Sequence, residues 1–436
     1  MKRLLMVVAW ALSTGAAAQN VRHDTWAEIQ AVPAKANGEY YMYEWDLPSP
    51  SRPPKGYKPV YISHIGRHGA RYALRDDIYE SVRDLLEQAR AEEQLTPAGE
   101  DLRRRYEAFY PSVAYRGGEL TFSGQEQHRK IAEKMFRDYP SVFRGQTHAE
   151  VLSTSVHRVL QSMTAFLERL QDLDRTFDCR FDAGNVYLPV LDPMSSKSPR
   201  HKARKPYSES VRQTLRQMQE QAYDTKAFAA RYFRDPAWLE GHGGAWALAQ
   251  NLRLIIVDIP CLDFEPQDNF DDVFTQEELF RLWEYRNYTG YLMNGRSPLT
   301  DNKTCLEAGG MVREMIEHAD EDLQNGNVNL RLRFSHDSAL MPLLSFMEVD
   351  TFGASVADPY EVKDWWRCFE IPMACNLQLV FYRSRRSPEI LVVPLLNGRE
   401  AKLPFPAMEG PFYRWSDFKA WYLPRIKAAE TFLENY

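Results

Sequence analysis

Cysteine is scarce in this chain. Its five cysteines, Cys179, Cys261, Cys305, Cys368 and Cys375, are scattered over 436 residues. None forms a CxxC pair or a Cys/His cluster with metal-ligand spacing, so a structural zinc module is excluded. The odd count leaves at least one thiol without a partner inside the chain, and Cys368 with Cys375 is the reasonable pair if a disulfide forms. Long apolar runs are also missing after the extreme N-terminus, which excludes a later membrane-spanning helix. No internal repeat of fixed period appears. Positive charge is not in excess: 54 Lys and Arg stand against 60 Asp and Glu, a formal net charge of -6. That balance argues against broad nucleic-acid binding.

What remains is the composition of a globular protein. Apolar residues make up 44% and charged residues 26%, and the aromatic share of 13% suits large clefts lined by rings. The length fits two domains or one elaborated domain. Residues 1–18 read as an export signal. Lys2 and Arg3 form a positive start, Leu4 to Leu12 an apolar stretch, and Ala16-Ala17-Ala18 a small-residue cleavage site. Position 19 is Gln, so no lipid anchor follows cleavage. The mature chain is expected to be soluble, periplasmic or secreted, with no membrane attachment once the signal is gone.

Residues 47–59 are proline-rich and read as an extended lead-in. Val60 to Ser63 reads as a buried strand and Ile78 to Ala91 as a helix. Thr96 can cap a helix with Pro97 at its first position. A second, similar start has Thr121 or Ser123 as its cap. Val151 to Ser153 reads as a short strand. Val156, Val159, Leu160, Met163, Phe166, Leu167 and Leu170 then follow helical spacing. Residues 195–300 are mostly helical and polar, with Thr275 and Glu278 as a capping box. Met311 to Leu323 is a helix ending at Asn325-Gly326. Leu330, Leu332 and Phe334 alternate with Arg331 and Arg333 in a strand that stops at Ser335-His336-Asp337. Two more strands, Leu377 to Tyr382 and Glu389 to Leu396, suit a hairpin. This is the texture of an α/β fold with a helical cap. The division is 19–190 for the first part of the core, 191–300 for the inserted α-helical cap, and 301–436 for the rest of the core.

The most informative stretch runs from Val60 to Arg71. A strand enters a glycine-punctuated turn in which His68 stands between Arg67 and Arg71. The planar fork of arginine matches phosphoryl oxygens. Two guanidiniums this close repel unless an anion joins them, and burying them without a partner is costly. A histidine so flanked suggests attack on phosphorus by a ring nitrogen. Gly69 lets the backbone turn tightly and a ligand approach. In open α/β sheets ligands sit beyond the carboxyl ends of strands. Both Arg67-His68 and His336-Asp337 lie just past strand ends, so they can converge. Asp337 is placed to cap the next helix, and a carboxylic acid there can also protonate a leaving oxygen. Arg158 lies off its helix's apolar stripe, in the first turn after Ser153-Thr154-Ser155, where the helix dipole favours an anion.

On these residues the chain resembles the histidine acid phosphatases, the branch that includes phytases, glucose-1-phosphatases and multiple inositol polyphosphate phosphatases. The signature RHGxRxP is similar to Arg67-His68-Gly69-Ala70-Arg71-Tyr72-Ala73, with Ala73 where proline is usual. The family's HD pair is matched by His336-Asp337, and its helix arginine by Arg158 within Ser153 to Ser162. The resemblance covers most of residues 57–400. It implies a phosphoglycerate-mutase-like central mixed sheet flanked by helices. It also implies a two-step hydrolysis of small-molecule phosphate esters. His68 becomes a phosphohistidine; Arg67, Arg71, Arg158 and His336 hold the oxygens; Asp337 protonates the leaving alcohol, and its conjugate base activates water. It requires no metal and no cofactor.

His148-Ala149-Glu150 spells the acid motif of the inositol polyphosphate phosphatase branch but precedes Arg158, so it is read as a decoy. His64 and His128 are read as structural. Lys197, Arg200, His201, Lys202, Arg204 and Lys205 form a basic run that is either a solvated loop or a rim attracting phytate-like inositol phosphates. The alternatives are a sugar-phosphate or phosphoanhydride phosphatase with the same site, and a binder of phosphate ligands without turnover.

Overall fold

A computed structural model describes residues 22–436 apart from positions 200, 223 and 269. The expected signal segment, and Arg200 of the basic run, lie outside the described residues. Among those residues no helix is long and apolar enough to cross a membrane.

The centre of the molecule is a mixed sheet. In chain order its strands are β1 (Tyr57–Arg67), β2 (His148–Ser153), β3 (Asp178–Ala183), β4 (Leu330–Ser335), β5 (Asn376–Ser384), β6 (Ser387–Leu396), β7 (Arg399–Glu400) and β8 (Tyr413–Arg414). The order across the sheet is β3-β2-β4-β1-β5-β6-β7, with β8 paired to β6. β3, β2, β4 and β1 run parallel, and β5 and β6 add an antiparallel edge. The central mixed sheet flanked by helices is thus as expected. β3 was not legible in the sequence, because its DCRFDA segment is mostly exposed and polar.

Alternation along β1 explains how the sheet is covered on both faces. Tyr61 and Ile65 point into the core shared with helices Gly309–Asn325, Asp337–Met347 and Trp415–Glu434. Ile62 points the other way, with Leu330, Leu332 and Phe334, against helices Phe122–Asp138 and His157–Leu173. Arg331 and Arg333 are not on a solvent face. They meet Asp322 and Glu314 of helix Gly309–Asn325, with N–O distances of 2.8 and 2.7 Å.

Local sequence sets the helix ends. Thr96 Oγ1 accepts from the Gly99 N–H at 3.1 Å with Pro97 at the first position, and Thr121, not Ser123, caps the next helix through the Gly124 N–H at 3.0 Å. Thr275 and Glu278 form both halves of a capping box. Gly326 closes helix Gly309–Asn325 with φ of 69°. The stretch after residue 195 is helical, including Glu209–Ala222, Gly244–Asp258 and Gln276–Asn294. Part of it shares one apolar cluster with helices Asp76–Ala91 and Pro97–Phe109.

Two expectations are corrected. All five cysteines are free thiols, so Cys368 and Cys375 do not pair. The Cys368 sulfur packs on Gly38 and Trp283, whereas Cys375 sits toward Asn397 beside Arg67. Asp337 is not a helix cap. His336 holds the N-cap position, and Asp337 is the first helical residue, its Oδ1 accepting from the Ser338 N–H at 3.0 Å.

Candidate active site

The register of two parallel strands builds the site. Arg67 at the end of β1 lies opposite Ser335 at the end of β4, and the His68 N–H donates to the Ser335 carbonyl at 3.0 Å. Arg67-His68 and His336-Asp337 therefore emerge side by side at the carboxyl ends of two central strands. The β5 side ties the same end down. The Arg67 N–H donates to the Cys375 carbonyl at 2.7 Å, and the Ala374 N–H donates to the His68 carbonyl at 3.0 Å.

The loop after His68 is held by helix His157–Leu173, which carries Arg158, and by helix Phe122–Asp138. The Gly69 N–H donates to Ser162 Oγ at 3.1 Å and the Ala70 N–H to Gln127 Oε1 at 2.8 Å. Thr121 returns two bonds to the Ala70 carbonyl, from its N–H at 3.0 Å and its hydroxyl at 2.9 Å. Gly69 is required by packing. A Cβ there would sit 2.3 Å from the Gly124 carbonyl oxygen.

Three guanidiniums surround this loop. Arg67 is wholly buried; its Nη1 donates to the Glu39 and Ile371 carbonyls at 2.5 and 3.0 Å, and its Nη2 lies 3.2 Å from Asp337 Oδ2. Arg71 donates to the Tyr72 carbonyl at 2.8 Å and the Tyr40 hydroxyl at 3.2 Å, over whose ring it lies. Arg158 is half-buried in the first turn of helix His157–Leu173. The Nε atoms of Arg67, Arg71 and Arg158 are buried and have no hydrogen-bond partner among the described residues. Buried, unbonded cationic donors in one place call for an anion.

The imidazoles are poised as neutral rings. His68 Nδ1 is 2.9 Å from the Gly69 carbonyl oxygen. A carbonyl only accepts, so Nδ1 carries the proton and Nε2 keeps its lone pair. Burial pushes the His68 pKa well down, and Arg158, Arg67 and Arg71 push it further. His336 packs edge-on to His68, with ring centroids 5.6 Å apart, and its Nε2 is 3.2 Å from Thr154 Oγ1. Burial first, then Arg158, lowers His336 to about 4. Burial also brings Arg158 down to about 10, with Arg71 adding repulsion. Burial alone would raise Asp337, but Arg67, Arg71, His336 and Arg286 overrule it and hold the carboxyl well below the usual range.

The structure thus brings together all six residues singled out in the sequence: Arg67, His68, Arg71, Arg158, His336 and Asp337. His148 and Glu150 are not among them. They lie at the start of β2, the opposite end of the strands, where His148 Nδ1 meets Asp178 at 2.9 Å. His64 and His128 are buried below the loop. Several neighbours escaped sequence reading. Tyr40 and Glu39 come from a short N-terminal turn with no motif. Asp192, in the loop after Leu191, accepts from Ser338 Oγ at 3.1 Å, and burial raises it to about 6, with Asp337 adding to the rise and Ser338 and Arg158 opposing it. The nearest signal was the boundary at residue 191 where the helical cap is expected to begin. Three of the six residues of the basic run are anchored: Lys202 donates to the Leu433 carbonyl, Arg204 to the Leu292 carbonyl, and Lys205 Nζ lies over the Tyr436 ring.

Comparison with known proteins bears on the same region. The model of the histidine phosphatase superfamily (branch 2) matches residues 62–393. No curated protein matches the chain in sequence. Among solved structures, the multiple inositol polyphosphate phosphatase of Bifidobacterium longum is similar at TM-score 0.72 and 16% identity, covering 89% of this chain and 97% of its own. It has also been solved with inositol hexasulfate. A phytase from D. castellii is similar at TM-score 0.64 and 16% identity, covering 90% and 84%. A Hafnia alvei phytase is similar at 0.54 and 12%, covering 86% and 99%. At these identities the likeness shows the fold.

Proposed function

The chain belongs to the histidine phosphatase superfamily (branch 2), and from that premise we propose that this phosphatase hydrolyses organic phosphate monoesters through a phosphohistidine on His68. The observation that carries the reading is the Nδ1 bond of His68 to the Gly69 carbonyl. It fixes the tautomer with an unprotonated Nε2 beside three arginines, which is what a nucleophile toward phosphorus needs.

Arg67, Arg71 and Arg158 bind the phosphoryl oxygens with the N–H groups they leave unbonded, and His336 adds a ring N–H or its Thr154-linked edge. Nε2 attacks phosphorus, the N–P bond forms and the P–O bond to the leaving group breaks. Asp337 gives its proton to that oxygen. Water then attacks the phosphorus, its proton passes to Asp337, the N–P bond breaks to restore the Nε2 lone pair, and inorganic phosphate leaves. Held well below the usual carboxylate range by Arg67 and Arg71, Asp337 is ionised and must gain a proton before the first step. A bound phosphate shares the positive charge that depresses Asp337 and loosens its 3.2 Å pairing to Arg67. That raises its pKa in the complex and favours acid conditions. The arginines supply the electrostatic stabilisation that Mg²⁺ supplies in other phosphoryl transfers.

We infer inositol polyphosphates as the favoured substrate class, on the family and on the neighbours named for phytate and inositol polyphosphates. The anchored basic run lends little further support. The site chemistry serves sugar phosphates equally, so the substrate class is the finer proposal. Export rests on the residue pattern at 1–18.

Rapid quench with labelled substrate tests the mechanism. Acid-labile, base-stable phosphate should appear on the protein, and His68→Ala should abolish both it and phosphate release, with EDTA present throughout. Release by His68→Ala at the native rate would end the proposal. A panel of phytate, glucose 1-phosphate, pyrophosphate and p-nitrophenyl phosphate across pH decides the substrate class.

A further inference from the structure

Residues 191 and 192 hold the His336-Asp337 pair from both sides, and the mechanism above uses neither. Leu191 ends the short helix Leu188–Leu191, and Asp192 follows it. The Ser335 hydroxyl, one residue before His336, donates to the Leu191 carbonyl at 2.5 Å. The Ser338 hydroxyl, one residue after Asp337, donates to Asp192 Oδ1 at 3.1 Å. One turn of chain thus brackets the pair at both ends. The turn has its own support. The Asp192 N–H donates to the Leu188 carbonyl at 2.8 Å, and the Asp192 carbonyl accepts from the Ser195 N–H at 3.0 Å. Ser335 is fully buried and Asp192 is 9% exposed, so water competes little for either bond.

Ser338 carries the effect to the acid. Its N–H donates to Asp337 Oδ1 at 3.0 Å, while Arg67 Nη2 meets Oδ2 at 3.2 Å. When Asp337 takes up its proton, the Ser338 N–H keeps Oδ1 as an acceptor. The proton therefore sits on Oδ2, once a bound phosphate has loosened Arg67. Which oxygen delivers the proton, and from where, depends on the position of Ser338. The backbone of helix Asp337–Met347 holds that residue from one side and Asp192 from the other. Asp192 gives up its own charge at about pH 6. A protonated carboxyl still has an oxygen that accepts, so the bond from the Ser338 hydroxyl needs no charge on Asp192.

We propose that Asp192 is a positioning residue: through the Ser338 hydroxyl it holds Asp337 where its proton reaches the leaving oxygen. Its bond to Ser338 needs neither substrate nor phosphorus in contact with Asp192. Acid catalysis demands placement to a fraction of an ångström, and a side chain set by a neighbouring hydrogen bond meets that demand. The inference rests on the phosphatase reading above.

The test compares leaving groups through kcat/KM, which reports the step that breaks the ester bond and not the later release of phosphate from the histidine. Asp192→Ala should lower kcat/KM for glycerol 2-phosphate by about tenfold, short of the roughly 100-fold cost of a misplacement of about 1 Å. For p-nitrophenyl phosphate, whose leaving group departs without a proton, the loss should be several-fold smaller. Ser338→Ala should show the same split. The double variant should be no slower than either single one, because both remove one link. Asp192→Asn keeps an acceptor for the Ser338 hydroxyl and should recover most of the loss. A merely structural role for Asp192 would slow both esters alike. Equal slowing, an asparagine no better than alanine, or additive losses in the double variant would each overturn the proposal. Where Asp192→Ala does not fold, Ser338→Ala decides by the same ratio. Turnover with unselective losses ends this inference alone; a native chain that hydrolyses no ester ends the phosphatase reading as well.

Discussion

Replacing His64 by leucine should make the protein more resistant to acid. His64 lies in β1 between Phe166 and Phe334, with ring centroids 5.4 and 5.5 Å away. It is fully buried, and neither ring nitrogen has a partner among the described residues. Burial first, then the nearby His128 and Arg333, lowers its pKa from 6.5 to about 3. The folded state therefore holds a neutral ring that the unfolded chain would protonate. The associated stability is complete above about pH 6.5 and is lost as pH falls toward about 3. At 1.36 kcal/mol per pH unit, the loss is about 2 kcal/mol at pH 5 and about 5 kcal/mol at pH 3. Domains have about 5–15 kcal/mol in total, so one ring is a large share. Leucine has nearly the same volume and no proton to gain. Urea unfolding at about pH 7 and about pH 5 should show the native chain losing about 2 kcal/mol more than His64→Leu over that interval. Adding His128→Leu, whose ring burial likewise lowers to about 3, should roughly double the gain. Equal losses for native and variant would mean that the ring is solvated or already protonated in the fold, and the reasoning fails.

Three further outcomes are expected. Asp337→Asn should slow phosphate release from alkyl phosphates by about 100-fold or more but from p-nitrophenyl phosphate far less, because p-nitrophenolate leaves without a proton; equal slowing would remove Asp337 as the acid. Gly69→Ala should cost about 1–3 kcal/mol in urea unfolding and most of the activity, because the new methyl meets the Gly124 carbonyl at 2.3 Å and neither backbone can yield cheaply. With all five cysteines free, a reductant should leave the melting temperature unchanged; a fall of several degrees would reveal a disulfide.

The sequence made the site legible where chemistry and backbone period coincide. Arg67-His68 and His336-Asp337 each follow an apolar run that ends in polar residues, and parallel pairing of those runs put them together. Arg158 was legible from the helix start it occupies. Other features depended on tertiary context. β3 is exposed and polar, so only its pairing with β2 makes it a strand. Arg331 and Arg333 look like a solvated face by alternation, yet a helix carrying Asp322 and Glu314 covers them. Two sulfurs seven positions apart gave a plausible disulfide, but their side chains leave the backbone toward different neighbours.

The pairing of β1 with β4 also bears on how the chain is made. Ile62 meets Leu330 and Arg67 meets Ser335 across most of the polypeptide, the kind of distant closure that slows folding. Until translation has passed β4, His68 has neither His336 nor Asp337 beside it, so on the proposed mechanism an unfinished chain would not hydrolyse phosphate esters. On that reading, chemical silence during synthesis follows from the order of the strands.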